Sequence, residues 1–124
     1  MKRLLLIALA ILPSVAANAQ PVSVEGRWEV NANVGGTASD LDCTFTQKDA
    51  ELTGNCEFDQ TSHAITGKVE GKIVSWQFNT QYEGQTLAVA YSGTLEPADK
   101  IVGTVDVQPI GVSGDFTARR AKEQ

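Results

Sequence analysis

Residues 65–78 read ITGKVEGKIVSWQF, two runs that alternate in polarity on either side of Glu70-Gly71. Alternation at period two around a glycine turn is the pattern of a β-hairpin. A two-residue turn at Glu70-Gly71 pairs Val69 with Lys72, Gly67 with Val74 and Ile65 with Trp76. Ile65, Gly67, Val69, Val74, Trp76 and Phe78 then share one apolar face, and Thr66, Lys68, Ser75 and Gln77 share the other. An isolated hairpin with one apolar face is marginal in water, so the rest of the chain must cover it.

Working outward, the same alternation gives eight strands: Val22–Asn33, Leu41–Lys48, Glu51–Phe58, His63–Val69, Lys72–Thr80, Thr86–Leu95, Lys100–Val107 and Val112–Arg119. Every connection between them is short, and beyond the N-terminal segment no stretch has the 3.6-residue period of an amphipathic helix. Short turns joining successive strands make an antiparallel meander, which hides its core and edges by closing on itself or folding into a sandwich. A second regularity favours closure. An apolar residue, one intervening residue and a glycine recur in six of the eight strands, ending on Gly26, Gly54, Gly67, Gly93, Gly103 and Gly114. By parity each glycine points inward, with Gly93 opposite Gly103, where it permits tight coiling and close approach of the walls. The chain is expected to be all-β, an eight-stranded antiparallel up-and-down β-barrel with a narrowed end.

The two cysteines fit the same frame. A hairpin centred on Asp49-Ala50 pairs Gln47 with Leu52, Phe45 with Gly54 and Cys43 with Cys56, all on one face. Counting outward from the turn places the cysteines on a non-hydrogen-bonded pair, where side chains approach most closely. A cross-strand disulfide is expected, contributing about 2 to 4 kcal/mol. Metal ligation or a catalytic thiol would need further ligands or a base close by, and no such set is visible.

At the N-terminus Lys2-Arg3 precedes the apolar run Leu4 to Leu12, and a small-residue stretch ends in Ala17-Asn18-Ala19. This is the pattern of a secretory signal peptide over residues 1–19, with a single barrel domain over 20–124. The run is too short to span a bilayer, and no cysteine follows the cut to carry a lipid anchor. A periplasmic or secreted location is expected, where a disulfide persists. Removing Lys2 and Arg3 from the ten basic residues leaves eight against fifteen acidic ones. That balance disfavours nucleic acid, which needs a basic stripe, and membrane insertion of the mature chain is not expected.

Gly26-Arg27-Trp28 on the first strand, with Arg119 or Arg120 on the last, resembles the G-x-W and C-terminal basic pairing of the calycin barrels, the lipocalins and their relatives. Adding Leu52-Thr53-Gly54, Val74-Ser75-Trp76, Tyr91-Ser92-Gly93 and Phe116-Thr117 gives an order of motifs similar to the avidins across nearly the whole mature chain. The wording also resembles small exported bacterial β-domains of unassigned function, with strands of the form LTG, V-x-G-x-V-x-G and G-x-F-T-x-x-R. The avidin resemblance does not carry biotin binding with it. Tyr91 replaces one ligand-stacking tryptophan, Cys56 stands where a ligand-binding tyrosine follows LTG, and Asp115 lies beside Phe116 rather than one residue earlier.

The turns at 49–50, 70–71 and 96–99 share one end of the barrel with both termini, and the glycines lie toward that end, which is expected to be closed. The other end carries Asn33–Asp40, Asp59–Ser62, Asn79–Gln85 and Gln108–Gly111, longer and richer in turn residues. It is the candidate mouth, as in lipocalins and avidins by resemblance. Below it, parity turns His63, Trp76, Phe78, Tyr91 and Phe58 inward as ligand-binding candidates. Those side chains can equally well fill the barrel, since eight strands leave an interior that side chains can occupy entirely.

No residue set names a reaction. His63 is the only histidine; in the hairpin register it faces Phe78 near the mouth, with Asp59 and Tyr82 as candidate neighbours, and Ser62 points to the opposite face of its strand. No G-x-S-x-G, phosphate loop or dinucleotide fingerprint occurs, and neither metal nor cofactor is expected. Three readings stand: a binding module for a small apolar or amphipathic ligand, a protein-interaction barrel with a filled core such as a periplasmic protease inhibitor or envelope factor, and an enzyme built on His63. The expectation is a non-enzymatic binding domain. A hollow mouth favours the first reading; an exposed apolar patch on loops or on the arm Gln20–Ser23 favours the second.

Overall fold

The structure, a computed structural model, describes residues 22–121; the signal peptide expected over residues 1–19 and its cleavage site lie outside the described residues. Eight strands follow in chain order: β1 (Gly26–Val34), β2 (Thr37–Lys48), β3 (Glu51–Phe58), β4 (Thr61–Glu70), β5 (Ile73–Tyr82), β6 (Gln85–Glu96), β7 (Lys100–Gln108) and β8 (Val112–Arg120). Each pairs antiparallel with its neighbours, and β8 returns to β1, so the barrel is closed in meander order. Burial alternates along every strand, as the β1 residues Trp28, Val30 and Ala32 show by pointing in while Glu29, Asn31 and Asn33 point out. Closure leaves the sheet without an edge strand.

The β2–β3 register agrees with the sequence reading at Gln47↔Leu52, Phe45↔Gly54 and Cys43↔Cys56, and the two cysteines are joined in a buried disulfide. The β4–β5 register differs by two residues. Val69 pairs with Val74 and Gly67 with Trp76, because the turn is Gly71-Lys72 rather than Glu70-Gly71. Gly71 takes the positive φ of 60° that begins this turn. A slip of two preserves parity, so the inward set of the hairpin is unchanged.

The connections at the end opposite the termini are shorter than their composition suggests. Gly35-Gly36, Asp59-Gln60 and Glu83-Gly84 are two-residue turns with φ positive at both positions. That geometry matches the right-handed twist of the flanking strands, so the strands run to the rim and no long loop folds over it.

The inward glycines act between adjacent strands rather than across the barrel. A Cβ on Gly67 would meet Ser75 O and, at 2.8 Å, Cα and Cβ of Trp76, all on the neighbouring β5; one on Gly103 would meet Ser92 O on β6. These positions let one strand coil over the inner face of the next. Only Gly93 also faces a ring two strands away, Phe116 Cζ at 2.9 Å from its Cβ position. Nor do they form a girdle at one end, since Gly114 pairs with Val34 near the opposite rim.

Candidate functional site

The interior divides along the barrel axis. Near the termini it is full. Trp28 is fully buried and its Nε1 donates to Val24 O at 2.9 Å, so the arm before β1 is folded under the barrel. Gln47 holds the arm from the other side: its Oε1 accepts from Val24 N at 2.8 Å and its Nε2 donates to Val22 O at 2.9 Å. The Arg120 guanidinium lies 4.7 Å from the centroid of the Trp28 ring, donates to Glu25 O at 2.6 Å and pairs with Asp99 at 3.2 Å. Arg119 is exposed. A planar cation that stacks and donates at once is suited to this position, which lysine could not fill.

Above this cap lies an aromatic layer. Trp76 stacks on Tyr91 with centroids 4.9 Å apart and planes 7° apart, and it meets Phe45 at 4.9 Å and Phe116 at 5.3 Å. The indole Nε1 of Trp76 is buried and finds no acceptor among the described residues.

Beyond Tyr91 the barrel is hollow. A cavity of about 480 Å³ opens toward the rim, walled by Leu41, Phe78, Leu87, Val89 and Val107, with Ala32 and Val34 on β1. Its polar groups are the hydroxyls of Thr37, Ser39, Thr80, Tyr82 and Tyr91, and among the described residues no charged side chain lines it. Burial pushes the Tyr91 hydroxyl up to about 12, so the floor presents a neutral phenol. Tyr82 and Ile110 stand exposed at the rim.

Of the residues singled out from sequence, Phe58, Phe78 and Tyr91 line the cavity, Trp76 lies behind Tyr91, and His63 stands in the wall. The place of His63 follows from the backbone. The β4–β5 ladder has five pairs and ends at Thr66↔Gln77, whereas β5–β6 has ten. Between Thr61–Ile65 and Phe78–Tyr82 the wall is closed by rings instead: His63 stacks on Phe78 at 4.9 Å and 22°, with Phe58 at 6.3 Å on its other side. Among the described residues His63 makes no hydrogen bond or ion pair, and no three His, Cys, Asp or Glu side chains converge. Sequence reading does not single out Leu41, Leu87, Val89 and Val107. The signal that could find them is inward parity combined with a place toward the turn-rich end of each strand.

Charge is divided along the same axis. When each strand is cut at its midpoint, Asp40, Asp42, Glu57, Asp59, Glu83, Asp106 and Asp115 fall in the open half. Every described lysine and arginine, from Arg27 at the start of β1 to Arg120 at the end of β8, falls in the closed half or its turns. No protein-family model matches the chain, and no curated protein matches it. The chain is a small all-β protein, a closed eight-stranded meander barrel with a Cys43–Cys56 disulfide and one hollow end.

Proposed function

We propose that this is an exported, non-enzymatic binding domain that holds a small apolar or amphipathic ligand in the open half of the barrel. The cavity carries this reading. About 480 Å³ lies within the range of small-molecule sites, and its lining is mostly apolar with a few hydroxyls, the composition expected of such sites. A protein that needed only a filled core would not leave this volume unpacked at one end, because unfilled space forfeits packing energy. The disulfide accords with export to an oxidising compartment. The stacking of Arg120 on Trp28 accords with a calycin-like relationship. Charged outward residues such as Glu29, Asp42, Glu57 and Lys68 accord with a barrel that stands in water rather than in lipid, where an outer apolar band is needed.

The protein-interaction reading has one observation in its favour, the exposure of Tyr82 and Ile110 on the rim. The arm supplies no such patch over Val22–Glu25, since Val22 packs on the core and Val24 is buried. Titration with a panel of hydrophobic metabolites, read by indole fluorescence and thermal shift, separates the two. The carrier reading expects a saturable response in the wild type that is weakened in Val89→Trp, whose indole takes up part of the cavity. A panel without a single saturable response leaves the interaction barrel as the better account.

A further inference from the structure

We infer that the cavity accepts ligands without negative charge and rejects anionic amphiphiles of the same shape. This rests on the carrier reading above. Two poses are open to an amphiphile, and both turn an anion away. With its head at the floor, a carboxylate or sulfonate would be stripped of water among Leu41, Phe78, Val89 and Val107, facing only the neutral Tyr91 hydroxyl and no cation. An uncharged carbonyl or hydroxyl group in that place can accept the hydrogen bond from Tyr91 that no group among the described residues takes.

With its head at the rim, the anion would stand beside Asp59 and Glu83 in the rim turns, with the open half's five other carboxylates on the outer face of the wall below it. Among the described residues no lysine or arginine can reach it. The nearest on β7 is Lys100, separated from the cavity residue Val107 by about 20 Å of extended strand, and Arg120 is engaged by Trp28, Glu25 and Asp99. Repulsion at the rim acts through water and is screened by salt, whereas desolvation at the floor is not. The exclusion therefore has a salt-dependent part and a salt-independent part.

Two dyes with one skeleton test this: N-phenyl-1-naphthylamine, which is neutral, and its 8-sulfonate. Binding is read by dye fluorescence on the folded, oxidised protein at neutral pH. The neutral dye is expected to bind at least tenfold more tightly at low ionic strength, with the gap narrowing but not closing as salt is added. Asp59→Asn combined with Glu83→Asn removes two rim charges, and asparagine tolerates the positive φ at both sites. That variant should bind the sulfonate a few-fold more tightly and the neutral dye unchanged. Equal or tighter binding of the sulfonate by the wild type overturns the inference and leaves the carrier reading standing. An unchanged sulfonate affinity in the double variant removes the rim from the account and overturns the salt-dependent part. If neither dye binds, or both bind Val89→Trp as well as the wild type, the carrier reading falls and the inference with it.

Discussion

In the closed half the inward positions include the packed rings of Trp28, Phe45, Trp76 and Phe116; in the open half Ala32, Val34, Ser39, Val89 and Val107 share the wall with Phe78 and Leu87 and leave space between them. The strands, the alternation and the closure are the same in both. Large rings, together with the close strand approach that Gly54, Gly67, Gly93 and Gly103 permit, make one half a packed core, and the absence of that combination leaves the other a container. The difference teaches that hydrophobic pattern and hydrophobic filling are separate specifications. It also places the stability in one half and the recognition in the other, and substitutions can tell whether that division is real.

The largest effect should come from the closed half's backbone. A valine at Gly67 would drive its Cβ into Ser75 O and Trp76 Cα of β5, and those atoms belong to the sheet itself. Gly67→Val should cost at least about 3 kcal/mol in urea unfolding, while Thr66→Val, one residue along on the outer face, should stay within about 0.5 kcal/mol. Similar costs at the two positions would mean that inner and outer faces are not distinguished as the structure has them.

Truncating one leucine in each half compares the halves directly. Leu52 is 1% exposed in the closed half and Leu87 is 7% exposed on the cavity wall. Leu52→Ala opens a void in packed surroundings and should cost about 3 kcal/mol; Leu87→Ala enlarges a space that already exists and should cost about 1 kcal/mol. Equal costs would show that the cavity is filled in solution. The cap beneath the closed half should answer next. Arg120→Ala removes the stack on Trp28, the bond to Glu25 O and the pair with Asp99, and about 2 kcal/mol should go with them. Arg120→Lys should recover little of it, since an ammonium cannot stack and fork together. Full recovery with lysine would reduce the cap to a charge effect.

These contrasts also mark what could be read from the residues. Alternation fixed the inward faces of all eight strands, and it did so at β4–β5 even with the turn displaced by one position, because parity survives a slip of two. Asp49-Ala50 gave its register outright, and the disulfide came with it. The rim was harder, since Asp59-Gln60 and Glu83-Gly84 read as loop composition yet twist so tightly that the strands continue to them. The hollow end was harder still. Period-two patterning is blind to volume, so Val89 and Trp76 count alike on an apolar face although one leaves room and the other does not. His63 shows a third limit: its place depends on where the β4–β5 ladder stops, which local sequence does not encode.

Tyr91 sits where the halves meet, stacked on Trp76 and exposed to the cavity, and its hydroxyl is the smallest and sharpest probe of the boundary. Its pKa is raised from 10.0 to about 12 because burial penalises the phenolate. The unfolded chain releases this proton near pH 10, while the folded chain keeps it until about 12. Stability is therefore fully present below pH 10 and falls through that window, by up to about 1.4 kcal/mol per pH unit. Tyr91→Phe keeps the ring and its stack but has no proton to hold. The variant should lie within about 1 kcal/mol of the wild type at neutral pH and should lack the wild type's extra loss of stability between pH 10 and 12. Ultraviolet difference titration gives the matching readout, one phenol in the wild type that ionises late and is missing in the variant. Identical pH slopes in the two proteins, or a Tyr91 that ionises near 10, would mean that water reaches the floor freely, and the packed half would then end below Tyr91 rather than at it.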